Sequence, residues 1–220
     1  MINNMRFKFI AIEGPIGVGK TILTKKLGEK LNSQLLLEET TNPFLHEFYH
    51  NKKGASFKTQ LFFLVNRYTQ LVNLKQAPLF HANTIADFII EKDKIFACLN
   101  LDNQELSIYN KLYSLLIKEL PQPDIIIYLQ AKPDVLLHRI KRRNLPYEKN
   151  ISEDYLKEII QAFDYFFFHY KATPLLVINT NQIDFVLNEE HFNEILKAIE
   201  TMRAGTQYYT PWLNGDTEKH

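Results

Sequence analysis

The sequence predicts an α/β fold in which a five-stranded parallel sheet is flanked by helices on both faces. Three observations carry the prediction. Apolar β-type runs alternate with helical patterns along the 220 residues. Several runs, such as Ile125-Ile126-Ile127-Tyr128-Leu129, are continuously apolar instead of alternating, as expected of strands covered on both faces. A glycine-rich loop joins the first run to the first helical stretch, which is the βα junction at which such sheets bind ligands.

Taken in order, the runs at 7–13, 34–39, 84–90, 124–130 and 175–180 are read as strands. Helices are expected at 19–31, 57–75, 103–119, 133–143, 152–171 and 189–202. Pro133 suits the first turn of its helix, and Ser152 followed by Glu153 and Asp154 is an N-terminal signal for the next. No repeat, low-complexity tract or Gly/Ser linker divides the chain, so residues 1–203 are expected to form one domain and 204–220 a C-terminal tail, disordered or docked as an extended arm.

The loop reads Gly14-Pro15-Ile16-Gly17-Val18-Gly19-Lys20-Thr21, a complete G-x-x-x-x-G-K-[ST] pattern between a strand and a helix. Backbone N–H groups of such a loop, freed by glycine to turn inward at a helix N-terminus, cradle phosphate oxygens. Lys20 then reaches the β- and γ-phosphates and the Thr21 hydroxyl holds Mg²⁺, so the loop marks a nucleoside triphosphate site.

Composition narrows the rest. Lys+Arg 26 against Asp+Glu 25 gives a net charge of +1, without the basic excess expected of a nucleic-acid binder. No apolar stretch reaches the ~18–20 residues of a membrane span, and no long apolar segment of secretory type stands at the N-terminus. The one cysteine, Cys98, leaves no intrachain disulfide framework or cysteine-based zinc site, suits a cytoplasmic location, and is expected to be buried as a small apolar residue.

Acids cluster where strands of a parallel sheet end: Glu13, Glu38, Glu39, and Asp87 within the third run. Phosphoryl transfer needs such groups to organise a metal and to orient a hydroxyl nucleophile. Gln60 and Arg67 stand seven apart in an otherwise apolar helix, so they share one face as a core network or a ligand pocket. Phe44, Phe62, Phe63 and Phe88 are candidate stacking walls. Arg139 and Arg143, four apart with Arg142 between, share a helix face that reads either as solvated or as a lid over phosphates.

With the loop, Leu37-Glu38-Glu39, Asn42-Pro43-Phe44-Leu45-His46-Glu47-Phe48-Tyr49 and Gln60 to Arg67 on the page, the chain resembles the deoxynucleoside kinase family, and within it the bacterial deoxyadenosine/deoxyguanosine kinase branch. The likeness runs from about residue 8 to residue 200, through Asp87 to Ala97, Leu137 to Arg143 and Asn179 to Phe185. It implies a P-loop nucleoside-kinase fold with an arginine-rich lid, and an ATP- and Mg²⁺-dependent transfer to the 5′-hydroxyl of a deoxynucleoside, purine by resemblance, in nucleotide salvage. It further implies a homodimer, which apolar faces on helices 57–75 and 103–119 also favour.

By the same resemblance Glu38 is the general base, with Glu39 exchanged for it by a one-residue slip. Gln60 meets the base edge, Arg67 works with Asp93, and Tyr49 and Glu148 grip the sugar 3′-hydroxyl. Lys20, Arg139 and Arg143 act on the phosphates, Ile183-Asp184-Phe185 packs on the donor adenine, and Asp87 joins Thr21 at the metal. The chain departs from the family in one place: an Asp-Arg-Ser or Glu-Arg-Ser triplet is replaced by Asp87-Phe88-Ile89, and Lys92 or Lys94 is expected to stand in for the missing arginine.

Other classes fit less well. A thymidylate-type monophosphate kinase would need a positive clamp where Glu38 and Glu39 stand, and two carboxylates repel a phosphate. A GTPase-like switch would need D-x-x-G and N-K-x-D elements; no glycine has Asp three positions before it, and Asn51-Lys52-Lys53-Gly54 lacks the Asp.

Overall fold

A computed structural model of the chain describes residues 6–39, 41–50, 52–76, 83–145, 148 and 151–210. The strands are β1 (Phe9–Glu13), β2 (Gln34–Leu36), β3 (Thr84–Ala86), β4 (Ile125–Gln130), β5 (Leu175–Asn179) and β6 (Thr206–Tyr209). They form one sheet in the order β2-β3-β1-β4-β5-β6, and every neighbouring pair is parallel. The helices are α1 (Lys20–Leu31), α2 (Leu45–Tyr49), α3 (Ala55–Gln76), α4 (Lys92–Asn100), α5 (Asn103–Leu116), α6 (Pro133–Arg143), α7 (Glu153–Phe168) and α8 (Glu189–Thr201).

The apolar strands are covered on both faces. In β4, Ile125, Ile127 and Leu129 pack with Leu23 and Leu27 of α1 and Phe192 and Ile195 of α8, while Ile126 and Tyr128 pack with Ile95 of α4 and Phe163 and Phe167 of α7. Successive side chains of a strand point to opposite faces, so a strand sandwiched between helix layers must be apolar at every position. A third cluster joins Leu64 and Leu71 of α3 to Tyr109 and Tyr113 of α5 and Ala97 of α4. Pro133 occupies the first turn of α6, and the Ser152 hydroxyl accepts the Tyr155 N–H at 3.1 Å to cap α7.

The sheet has six strands where five were expected. Thr206–Tyr209 pairs with β5, so part of the expected tail belongs to the sheet; residues 211–220 lie outside the described residues. The strand escapes the sequence pattern because it lies at an edge, with Thr206, Gln207 and Tyr208 exposed, and so shows no buried run. The second and third strands are also shorter than their apolar runs. Glu38 falls two residues past β2, and Asp87 directly follows β3 instead of lying inside it. Cys98 is exposed, contrary to expectation: α4 turns Ile95 and Ala97 inward, which leaves Lys94 and Cys98, four apart, on its outer face.

Candidate active site

Because all strands run the same way, their carboxyl ends deliver Glu13, Glu38, Asp87 and Thr180 to one edge of the sheet. β3 and β4 leave β1 on opposite sides, and the crevice created by that divergence is where open α/β sheets hold ligands. A cavity of about 790 Å³ opens there, lined by the glycine loop, Glu38, α2, α3, α4, α6 and the segment after β5.

One side of the cavity is built by the loop. Ile16, Gly17, Val18, Gly19, Lys20 and Thr21 line the cavity, whereas Gly14 and Pro15 sit behind it. Gly14 is required by close approach, since a Cβ there would lie 2.4 Å from the Leu129 carbonyl oxygen. Gly19 caps α1 at φ +107, a left-handed conformation, and a Cβ on it would come within 2.8 Å of the Phe185 ring. Lys20 donates to the carbonyls of Gly14 at 2.7 Å and Pro15 at 3.3 Å, and its ammonium is 3.8 Å from the buried Glu13 carboxylate. Burial and the nearby Lys92 charge lower the Lys20 pKa to about 8, against the opposing pull of Glu13, Glu38 and Asp87. Burial pushes the Glu13 carboxyl up, countered by Lys92, Lys20 and the Gly14 N–H.

Thr21 and Asp87, the two expected metal ligands, lie side by side. The Thr21 hydroxyl donates to Asp87 Oδ2 at 2.5 Å, and Asp87 Oδ1 accepts the backbone N–H of Glu38 at 2.6 Å. A hydroxyl and a carboxylate form a hard oxygen donor set of the kind Mg²⁺ uses, with the remaining positions left to water and phosphate. Among the described residues no three His, Cys, Asp or Glu side chains gather into a group that could hold a metal ion.

A second part of the cavity centres on Glu38. Its Oε2 accepts from Lys92 Nζ at 2.6 Å and its Oε1 from Arg67, whose other terminal nitrogen donates to Asp93. Burial alone would raise the Glu38 pKa, but the Arg67 guanidinium and the Lys92 ammonium hold the carboxyl well below the usual range. Arg67 and Gln60 line the cavity from α3; Asp93 is buried behind Arg67 and does not line it. Glu39 is exposed and outside the cavity, which separates the two adjacent glutamates. Of the two candidate lysines, Lys92 is buried and bound to Glu38, while Lys94 is exposed and lies over the Tyr113 ring at 4.9 Å.

Tyr49, Arg139, Arg143, Glu148, Ile183, Asp184 and Phe185 also line the cavity. Arg143 Nε donates to Glu148 Oε2 at 3.0 Å, so two residues expected to serve phosphate and sugar are paired with each other. Arg139 donates to the Val18 carbonyl at 3.2 Å and to the Thr180 hydroxyl and carbonyl at 3.0 and 2.8 Å. Of the four candidate phenylalanine walls only Phe63 lines the cavity. Phe44 packs edge-on against Phe62 with centroids 6.2 Å apart, and Phe88 is buried 6.0 Å from the Arg67 guanidinium. Phe96 and Tyr155 line the cavity as well, and sequence reasoning missed both: each belongs to a helix whose apolar pattern reads as core.

A family model for deoxynucleoside kinases matches residues 10–203. The chain belongs to the deoxynucleoside kinase family. Among curated relatives, the deoxyguanosine kinase of Bacillus subtilis is 39% identical over 200 residues, 88% of this chain and 97% of that protein. The deoxyadenosine kinase of Dictyostelium discoideum is 35% identical over 216 residues, 94% of this chain and 86% of that protein. Among solved structures, the deoxyadenosine kinase of M. mycoides with the products dCMP and dCDP superposes with a TM-score of 0.73 at 26% identity, covering 88% of this chain and all (100%) of that one. The kinase is therefore a phosphotransferase, and the parallel sheet and its flanking helices are those of its relatives. Among the described residues no helix is long and apolar enough to cross a membrane.

Proposed function

We propose that this kinase transfers the γ-phosphoryl group of Mg²⁺·ATP to the 5′-hydroxyl of a purine deoxynucleoside, as a cytoplasmic salvage enzyme. The observation that carries the reading is Glu38, fixed between Arg67 and Lys92 where the donor and acceptor parts of one cavity meet. A carboxylate flanked by cations accepts a hydrogen bond from a neutral hydroxyl, whereas a carboxylate in that place would repel an acceptor phosphate. The purine preference rests on relatives named deoxyguanosine and deoxyadenosine kinase.

In this reading the loop amides and Lys20 hold the triphosphate, and Thr21 with Asp87 would hold Mg²⁺. When bound, Mg²⁺ would supply charge neutralisation of the β- and γ-phosphates. Glu38 orients the 5′-hydroxyl by accepting its hydrogen bond. Its depressed pKa makes it a weak base, which matches a loose transition state in which the nucleophile gives up its proton late, as the new O–P bond forms. Gln60 and Arg67 face the base, Tyr49 and Glu148 the sugar hydroxyl, and Arg143 the transferring group once released from Glu148. Arg139, bound to Thr180 beside Ile183, Asp184 and Phe185, serves the donor end of the cavity. A second copy of the chain is proposed to cover the stripe Ile108, Leu112 and Leu115, spaced as one face of α5 and exposed.

The test is a labelled-phosphate assay with ATP across the four deoxynucleosides and thymidine monophosphate. The expected result is transfer to deoxyguanosine and deoxyadenosine and none to the monophosphate; transfer to the monophosphate alone contradicts the reading.

A further inference from the structure

Of the strand-end carboxylates Glu13 and Glu39 take no part in the mechanism above, and of these two Glu13 is the buried one. It is fully buried, does not line the cavity, and closes β1. A buried carboxylate is expensive unless each oxygen is satisfied. Here Oε1 accepts the Gly14 N–H at 2.9 Å and faces Lys20 Nζ at 3.8 Å, while Oε2 accepts the Ile89 N–H at 3.1 Å. Ile89 lies between Asp87, which binds Thr21 and the Glu38 backbone, and Lys92, which binds the Glu38 carboxylate. One side chain thus ties the first residue of the phosphate loop, the loop lysine, and the segment that sets the metal acid and the catalytic carboxylate.

We infer that Glu13 is a positioning residue that locks the donor loop to the segment 87–92 and keeps Lys20 as its resting counter-ion until a triphosphate arrives. The inference rests on the donor assignment made above. It has two separable consequences. The Glu13 charge competes with phosphate for the Lys20 ammonium, so it weakens ground-state binding of the donor. The bond to Ile89 holds Asp87 and Lys92 in place, and an error of about 1 Å in such groups costs on the order of 10²-fold in rate.

Glu13→Gln removes the charge and turns an NH₂ group toward one of the two backbone N–H donors, while Glu13→Asp keeps the charge and draws it back from both. The experiment measures kcat and KM for deoxyguanosine together with calorimetric affinity for the non-hydrolysable β,γ-imido analogue of ATP. E13Q is expected to lower kcat at least tenfold, to leave the nucleoside KM within twofold, and to bind the analogue two- to tenfold more tightly. E13D is expected to lower kcat similarly with analogue affinity unchanged, and it reads the positioning claim alone if E13Q does not fold. A kcat within twofold of wild type in both variants, or a parallel loss of kcat and of affinity for both ligands, overturns the inference in favour of a purely structural role. If the unaltered enzyme phosphorylates no deoxynucleoside, the functional reading fails on its own, and analogue affinity still tests the competition for Lys20.

Discussion

Glu38 and Glu39 show how the surrounding charge, rather than sequence neighbourhood, distinguishes two adjacent carboxylates. Glu39 has the same side chain one position on, yet it faces solvent, while Glu38 is turned to the cavity and held by Lys92 at 2.6 Å and by Arg67. In the family pattern an arginine directly follows the acid after the third strand; here that position is Phe88, buried near Arg67, and the cation comes from Lys92 in the first turn of α4. Lys92→Ala should therefore lower kcat by about 10²-fold, the magnitude attached to losing one preorganised charged contact at a reacting centre. Lys94→Ala, made on the exposed face of the same helix, should stay within twofold of wild type. Steady-state rates of the two variants side by side check this, and equal activity of K92A and wild type would remove Lys92 from the account. Because Glu38 is held ionised, its titration should add no acidic limb to the rate profile between pH 5 and 7; a group with a depressed pKa loses its ionised form only as pH falls through that lowered value.

At the scale of elements, what the sequence made legible is what burial makes periodic. β1, β4 and β5 are apolar throughout because helices cover both their faces, and their bounds fall within two residues of the expected ones. α2 has five residues, too few to show a period, and β6 lies exposed at an edge, so neither left a pattern to read. The loop at Gly14–Thr21 is legible as a motif, and spacing places Gln60 and Arg67 on one helix face, which lines the cavity, without deciding between a core network and a pocket. Phe96 and Tyr155 are not legible as site residues, since an aromatic residue on an amphipathic helix gives the same signal whether it faces core or ligand. α3 and α5 also expose apolar residues, Val65 at 52% and Leu115 at 66%. If a second copy covers α5, Leu115→Glu should convert a dimer to a monomer in sedimentation without unfolding it; a monomeric wild type would contradict this proposal and leave the catalytic reading intact.

For the whole molecule, the parallel sheet does the assembling. Residues from β1 and from the segments after β2 and β3, far apart in sequence, meet at one edge because every strand points there, and α3 and α4 then wall the cavity beside it. Membership of the deoxynucleoside kinase family and the cavity geometry agree on a phosphotransferase; which carboxylate addresses the acceptor hydroxyl is the claim on which the rest depends. The direct measurement is single-turnover phosphoryl transfer to deoxyguanosine by Glu38→Ala and Glu39→Ala. The account predicts that E38A loses transfer by at least 10³-fold while still binding the nucleoside, and that E39A keeps a near-normal rate. Normal transfer by E38A, or loss by E39A instead, would contradict it.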